Sequence, residues 1–299
     1  MKILLSCHLP PLPKRPIDAH KTSAGSVCVI AGSYGMAGAA YLAAVAALRS
    51  GAGYVRMVCP DRIYPILAGL VPSAVFVPLD SLEDGKYPPA EIERAIAAIE
   101  LCTAAVVGPG LGESPAAQAL FAGITARVFK PMVLDASALG LMAKSAAPRG
   151  NAPRNWVITP HSGEAARLLQ IDTDAVEADR PAAVAALRAR SGAVAVLKGA
   201  RSLVCDGSRL YENTSGNAGM ATAGSGDVLA GVIGAFLAQG LQAFEAAALG
   251  VYIHGRAGDI AATTLGRGLT APDIADSLPS AILDYEGGIF EKSRGPISR

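Results

Sequence analysis

Short, mostly apolar runs alternate with longer alanine-rich segments along most of this 299-residue chain. This alternation restricts the fold more than any other feature. The runs 27–31, 54–59, 74–77, 104–107, 132–135, 155–158 and 193–197 are too short for helices and rich in β-branched or small residues. They lack the in–out alternation of a half-exposed strand, so they read as strands covered on both faces. The segments between them, 36–50, 89–100, 115–126, 163–169 and 176–190, read as helices, and helices are also expected at 227–238, 244–264 and 270–278. Residues 202–205 and 209–212, joined by Asp206-Gly207-Ser208, read as a hairpin. Strand–helix alternation implies right-handed crossovers, and hence an α/β fold with a central, mostly parallel sheet and helices on both faces. Residues 1–24 read as an extended N-terminal arm, because Pro10, Pro11, Pro13 and Pro16 oppose helix there. Residues 25–280 then form a single domain, followed by a C-terminal tail at 281–299.

Composition removes several classes of function. Lysine and arginine number 26 against 25 acidic residues, a net charge of +1, which provides no basic field for nucleic acid. Hydrophobic residues make up 51% and aromatics only 5%, so small aliphatic side chains must fill a large core. The longest uncharged stretch, 22–48, divides into a strand, a glycine-rich turn and an alanine-rich helix rather than a membrane span. Five scattered cysteines without a CxxC pair indicate free thiols in a reducing cytoplasm. The four histidines form no metal-ligand cluster in sequence.

In such a fold, ligands collect where the parallel strands end. The sharpest motif is Asn217-Ala218-Gly219-Met220-Ala221-Thr222-Ala223-Gly224-Ser225-Gly226-Asp227, followed at once by an apolar helix. Small residues at a helix start leave backbone N–H groups open to an anion such as phosphate. A carboxylate there repels that anion, so Asp227 points to a second task, accepting a proton from a hydroxyl that attacks phosphorus. The competing reading is an ordinary first-turn acid after a glycine turn. Gly32, Gly35 and Gly38 form a GxxGxxG loop after the first strand, suited to close strand–helix packing and to ligand contact through backbone; Asp61, after the next strand, stands where a ribose-binding acid would. Gly108-Pro109-Gly110-Leu111-Gly112 is either a plain turn or an approach path for a flat ligand. In Thr159-Pro160-His161-Ser162-Gly163-Glu164, His161 is a candidate ligand contact, Ser162 a helix cap and Glu164 a first-turn acid. Lys198 at the head of Lys198-Gly199-Ala200-Arg201-Ser202 either neutralises phosphate or is a solvated turn lysine. Asp135 either holds water or magnesium or caps the next helix.

Taken in this order, these segments resemble the ADP/ATP-dependent NAD(P)H-hydrate dehydratase family, which has the ribokinase-like fold. The resemblance runs from about residue 20 to about residue 278 and rests on the set AGSYGMAGAA, GPGLG, LDASAL, TPHSGE, LKGARS and NAGMATAGSGDVLAG. It implies repair of NADH or NADPH that has taken up water as a 6-hydroxy adduct. Phosphorylation by a nucleotide would turn that hydroxyl into a leaving group, and the ring nitrogen would help expel it. Asp227 would assist the attack, with Gly224, Ser225 and Gly226 as the anion hole. Lys198, Gly199, Ala200, Arg201, Ser202 and Gly226 would contact the nucleotide, and Ala39, Gly110, His161 and Asp227 the hydrated dinucleotide. ADP is the expected co-substrate, ATP the alternative, with Mg2+ accompanying it and no ligands assigned to the metal. A homotetramer is also implied. No epimerase domain fits in this length, so repair of both epimers would need another chain. The sequence departs from the family pattern at Ala223 and Ser225 in the glycine motif, at Ser162 and at Ser137. Two other readings stay open: a vitamin-precursor kinase of the same fold, and a non-catalytic dinucleotide-binding protein.

Overall fold

The computed structural model describes residues 2–4, 9–21, 23–81, 86–145, 153 and 155–293, without the side chains of 2–4 and 289–293. In its first half the chain runs β1 (Lys2–Leu4), β2 (Ser26–Ile30), α1 (Ala37–Arg49), β3 (Tyr54–Pro60), α2 (Tyr64–Leu70), β4 (Ala74–Leu79), α3 (Pro89–Glu100), β5 (Ala104–Val107) and α4 (Pro115–Arg127). There follow β6 (Met132–Leu134), α5 (Ser137–Lys144), β7 (Trp156–Ile158), α6 (Ser162–Leu169), α7 (Thr173–Ala178), α8 (Arg180–Ser191) and β8 (Val194–Leu197). The chain closes with β9 (Leu203–Cys205), β10 (Arg209–Glu212), α9 (Ser225–Ala238), α10 (Ala243–Leu265) and α11 (Ala271–Ser293).

The strands form one ten-stranded sheet in the order β1-β10-β9-β8-β7-β6-β5-β2-β3-β4. Only β9 runs against the rest, through its antiparallel pairing with β8 and β10. Both faces are covered, as the unbroken apolar runs require. Alternate residues of β2 feed opposite layers. Val27 and Val29 pack with α1, α9 and α10, whereas Cys28 and Ile30 pack with α3, α4 and α5. β5 divides likewise into Ala104 with Val106 and Ala105 with Val107. Because one residue of slip would exchange the two layers, this double burial fixes register.

Small side chains let the helices approach closely. A Cβ on Gly231 of α9 would stand 2.2 Å from the Ala43 carbonyl of α1, and one on Gly234 would stand 2.4 Å from Val106 on the sheet. α9 is therefore wedged between α1 and the sheet, and every residue from Val228 to Ala238 is buried. This packing holds the amino end of α9 at the sheet's carboxyl edge.

Several boundaries differ from the sequence reading. Residues 2–4 of the expected arm add a strand beside β10, with Ile3 opposite Leu210. The helix expected at 176–190 breaks into α7 and α8 at Asp179, whose side chain caps Ala182 N and is followed by Pro181 in the first turn of α8. The last helix, expected to stop at Leu278 before Pro279, continues to Ser293, so residues 281–293 are helical rather than a tail. Packing outweighs the proline here. Ala281 is buried, and the Tyr285 hydroxyl donates to Pro10 O at 2.9 Å, tying the helix to the arm. Residues 294–299 of the expected tail lie outside the described residues, as does Cys7. Among the described residues, no helix is long and apolar enough to cross a membrane.

Candidate active site

β2, β5, β6, β7 and β8 are parallel neighbours, so the loops that follow them share one edge of the sheet. Gly32 N donates to Pro109 O at 2.8 Å and Ser33 Oγ to Gly110 O at 2.8 Å, lacing the loop after β2 to the loop after β5. Gly112 N donates to Ser137 Oγ at 3.0 Å and brings in the loop after β6. Ala39 and Gly110, both expected to contact the dinucleotide, are neighbours: a Cβ on Gly110 would lie 2.9 Å from Ala39 Cβ. Gly110 is left-handed, with φ +62°, and any side chain would collide with the Met36 carbonyl. Ala136 also adopts a positive φ, 49°, a conformation that costs a non-glycine residue about 1–3 kcal/mol and is held by the surrounding loops.

α9 begins at this edge. Gly224 is its N-cap, with φ 90°, and no side chain caps the helix. Ser225 N donates to Thr222 O at 3.4 Å, and the remaining first-turn amides and the positive end of the helix dipole face the site without a side-chain cap. Asp227 lies in that first turn, partly buried. Burial, and then the nearby carboxylates of Asp135 and Glu164, push its pKa up to about 7, while Lys198 acts in the opposite direction. Near neutrality it is therefore poised to exchange a proton.

Lys198 turns inward rather than into solvent. Its ammonium lies 2.7 Å from Asp135 Oδ1 and 3.7 Å from Glu164 Oε2. Burial disfavours its charge, but Asp135, Glu164 and Asp227 outweigh that and raise its pKa. Asp135 is 1% exposed and also accepts a hydrogen bond from Thr159 Oγ1 at 2.7 Å. Its carboxylate therefore does not cap α5, one of the duties considered from sequence; it anchors the lysine. A Cβ on Gly226 would lie 3.1 Å from Lys198 Nζ, which places the ammonium directly against the open end of α9. Fixed cation, uncapped helix end and proton-accepting carboxylate make a site fitted to phosphoryl transfer.

The rest of the Lys198–Ser202 segment is an exposed tight turn. Ser202 Oγ donates to Gly199 O at 3.0 Å, and Arg201, at φ 59°, pairs with Glu212. Arg180 braces the turn by donating to Leu197 O at 3.3 Å and Lys198 O at 3.1 Å. Ala200 lies exposed at its tip.

His161, rather than Ser162, caps α6. Its Nδ1 accepts from Gly163 N at 3.0 Å and Glu164 N at 3.4 Å, while Glu164 Oε2 accepts from His161 N at 2.8 Å. A ring nitrogen thus does the work usually done by a hydroxyl in a capping box. The Ser162 hydroxyl bonds Glu177 instead. Because Nδ1 accepts, the proton of the neutral ring sits on Nε2, 3.6 Å from Glu164 Oε1. A cavity of about 190 Å³ opens beside this turn, lined by Glu113, Ala136, Ser137, Gly140, Glu164 and Arg167. Asp61 stands one strand further out, at the end of β3, with a buried Oδ1 that has no hydrogen-bond partner among the described residues.

Sequence reasoning missed the Asp135–Lys198–Thr159 linkage, the brace from Arg180, and His254, whose Nε2 lies 3.3 Å from Ser225 Oγ. Strand-end position marks Asp135 and Thr159 in the sequence, but the partnership of Asp135 with a lysine 63 residues away is a product of topology. Among the described residues, no three His, Cys, Asp or Glu side chains gather into a metal cage. Asp135 and Glu164, the carboxylates whose charges act on Asp227, are already engaged, Asp135 by Lys198 and Glu164 by His161 N and Lys198.

A sequence description of the NAD(P)H-hydrate dehydratase family matches residues 27–280. The ADP-dependent (S)-NAD(P)H-hydrate dehydratase of Neisseria meningitidis is 43% identical over 269 residues, covering 87% of this chain and 86% of that protein. The chain spans about half the length of bifunctional NAD(P)H-hydrate repair enzymes such as that of Coxiella burnetii, 52% of which is matched. Among solved structures, a ribokinase-like superfamily protein of Enterococcus faecalis superposes with a TM-score of 0.81 at 29% identity, over 92% of each chain. The ADP/ATP-dependent NAD(P)H-hydrate dehydratase of Bacillus subtilis, co-crystallised with ATP/Mg2+, superposes with a TM-score of 0.77 at 26% identity, covering 94% of this chain and all of that one. The sheet, the glycine-rich helix start and these likenesses agree: the fold is ribokinase-like, and the chain belongs to the NAD(P)H-hydrate dehydratase family.

Proposed function

We propose that this protein is an ADP-dependent (S)-NAD(P)H-hydrate dehydratase that returns hydrated NADH or NADPH to the intact cofactor. The observation that carries this reading is the Lys198 ammonium, fixed by buried Asp135 beside Gly226, next to the half-buried Asp227. Asp227 takes the proton of the 6-hydroxyl as that oxygen attacks the terminal phosphorus of the nucleotide. A new O–P bond forms, and the bond from phosphorus to the bridging oxygen breaks, releasing AMP when ADP is used. The amides of Gly224, Ser225 and Gly226 and the charge of Lys198 stabilise the phosphoryl group in flight. The ring nitrogen's lone pair then expels phosphate, which carries away the former hydroxyl oxygen, and loss of the adjacent C5 proton restores the ring double bond. The sum is hydrate plus ADP giving NAD(P)H, AMP and phosphate.

In this reading the Lys198–Ser202 turn, with Gly226, receives the nucleotide. Ala39, Gly110 and His161 receive the dinucleotide, which is supported by the contact between Ala39 and Gly110 and by the outward-facing ring of His161. Mg2+ would accompany the nucleotide, and among the described residues no three His, Cys, Asp or Glu side chains gather around it. The setting is cytoplasmic, in keeping with the buried thiols of Cys28, Cys59 and Cys102, none of them in a disulfide among the described residues. The assembly is a homotetramer; exposed Tyr64, Ile66, Leu70 and Val75 on α2 and the edge strand β4 offer an apolar face for it.

The test incubates purified protein with NADH hydrate, Mg2+ and either ADP or ATP. Absorbance follows the restored NADH, and nucleotide and phosphate products are assayed in parallel. Equal yields of NADH, AMP and phosphate with ADP are expected. A stable phosphorylated product without phosphate release would identify a kinase of the same fold, and no nucleotide-dependent NADH at all would reject the reading.

A further inference from the structure

We propose that His254 is a positioning residue for the anion hole: its Nε2–H donates to Ser225 Oγ, so that the Ser225 hydroxyl proton is directed at the transferring phosphoryl group. This rests on the dehydratase reading above and adds to it a residue and a proton placement.

His254 sits in the middle of α10, in the alanine-rich helical layer. Val251, Ile253 and Ala257 around it are buried, and the histidine itself is only 9% exposed. A hydrocarbon side chain would fill such a place at lower cost, because a buried polar group is tolerated only when it is hydrogen-bonded. Its ring reaches across to the first turn of α9, with Nε2 3.3 Å from Ser225 Oγ.

Two arrangements fit that distance. In one, the serine hydroxyl donates to an unprotonated Nε2, and its proton points away from the phosphoryl group. In the other, Nε2–H donates to Oγ, and the hydroxyl proton is free for the phosphoryl oxygen. A hydroxyl has one proton, so only the second arrangement makes Ser225 a donor in the anion hole. Burial, assisted by the charge of Lys198, pushes the ring's pKa down to about 4, so at neutral pH it carries a single proton. An anion in the hole draws the serine O–H toward itself, because the open end of α9 already attracts negative charge there, and Oγ is then left to accept from Nε2–H across the 3.3 Å contact.

The experiment is a double-mutant cycle supported by NMR. His254→Phe fills the space without a donor, His254→Gln restores an N–H at similar reach, and Ser225→Ala removes the acceptor. The rate of ADP-dependent NADH restoration, KM for ADP and thermal midpoint are measured for each variant and for Ser225→Ala/His254→Phe. His254→Phe is expected to lower kcat about tenfold, the effect of one lost hydrogen bond, with little change in KM. His254→Gln recovers most of the rate, and the double variant is no slower than Ser225→Ala alone. In 15N-labelled wild-type protein, His254 is expected as the Nε2–H tautomer. Wild-type kcat in His254→Phe, or losses in the double variant that multiply, would overturn the proposal, as would the Nδ1–H tautomer. Absence of NADH restoration in the wild type would instead reject the dehydratase reading, and the tautomer measurement would still test the placement of the proton.

Discussion

Asp135→Asn tests the electrostatics of the site with almost no change in shape. Asp135 is buried, 2.7 Å from Lys198 Nζ and 2.7 Å from Thr159 Oγ1, and its charge raises the pKa of Asp227. Two consequences follow. Removing one partner of a buried ion pair strands the other, at a cost of about 3–5 kcal/mol, which equilibrium denaturation reads directly. The second consequence is a matter of sign. A like charge near Asp227 disappears, and Lys198 loses its nearest counter-charge and becomes more available to Asp227. Both effects favour the ionised form of Asp227, so its pKa falls from about 7 toward the ordinary carboxylate range, with Glu164 still opposing the fall. In the wild type, kcat/KM for the hydrate rises with pH through an apparent pKa of about 7, since the free enzyme must have Asp227 ionised. In Asp135→Asn that acid limb moves to lower pH, while the plateau drops because Lys198 is no longer held against Gly226. The assay is NADH restoration between pH 5 and 9 at saturating ADP. An acid limb that stays in place or moves upward would refute the coupling of Asp135 to Asp227.

Other outcomes follow from the same geometry. Asp227→Asn is expected to lower the rate by about 10²–10⁴ with ADP binding largely kept, measured by turnover and calorimetry. The same variant should be more stable than wild type at pH 8. A carboxylate whose folded pKa is raised from 3.8 to about 7 costs stability that grows as pH rises between those values, so the gain is about 4 kcal/mol above pH 7 and vanishes near pH 4 in denaturation curves. Gly224→Ala places a Cβ 2.4 Å from Leu42 Cδ1 at φ 90°, and is expected to cost about 1–3 kcal/mol and to impair turnover by moving the α9 amides. His161→Ala removes the α6 cap, for a stability loss of about 1 kcal/mol, and should raise KM for the hydrate; an unchanged KM would leave His161 with capping alone.

The layered sheet was legible because its strands are buried on both faces and so lack polar alternation, as in Ser26–Ile30 and Val194–Leu197. The hairpin was legible through Asp206-Gly207-Ser208, where Asp206 accepts from Ser208 N at 2.9 Å and Arg209 N at 2.7 Å. Two short helices were not. α2 and α5 span seven and eight residues, less than the window in which helical periodicity emerges. The run of α11 through Pro279 depends on tertiary packing that no local rule contains. At the site, glycine spacing and strand-end position pointed to Asp227, Lys198, Gly110 and His161. Local sequence could not show that Lys198 turns inward, since a lysine after a strand is commonly solvated and only the crossover that brings β6 within reach of β8 supplies its carboxylate. It also could not show that a histidine would act as a helix cap, or that a second histidine deep in a helix would meet Ser225.

The most direct measurement follows the oxygen. NADH hydrate labelled with 18O at the 6-hydroxyl is turned over with ADP, and phosphate and water are analysed by mass spectrometry. Attack of that hydroxyl on phosphorus carries the label into inorganic phosphate, one atom per NADH restored. Label recovered in water, with unlabelled phosphate, would mean that the hydroxyl leaves without meeting phosphorus, and would contradict the roles given to Asp227, Lys198 and the open end of α9.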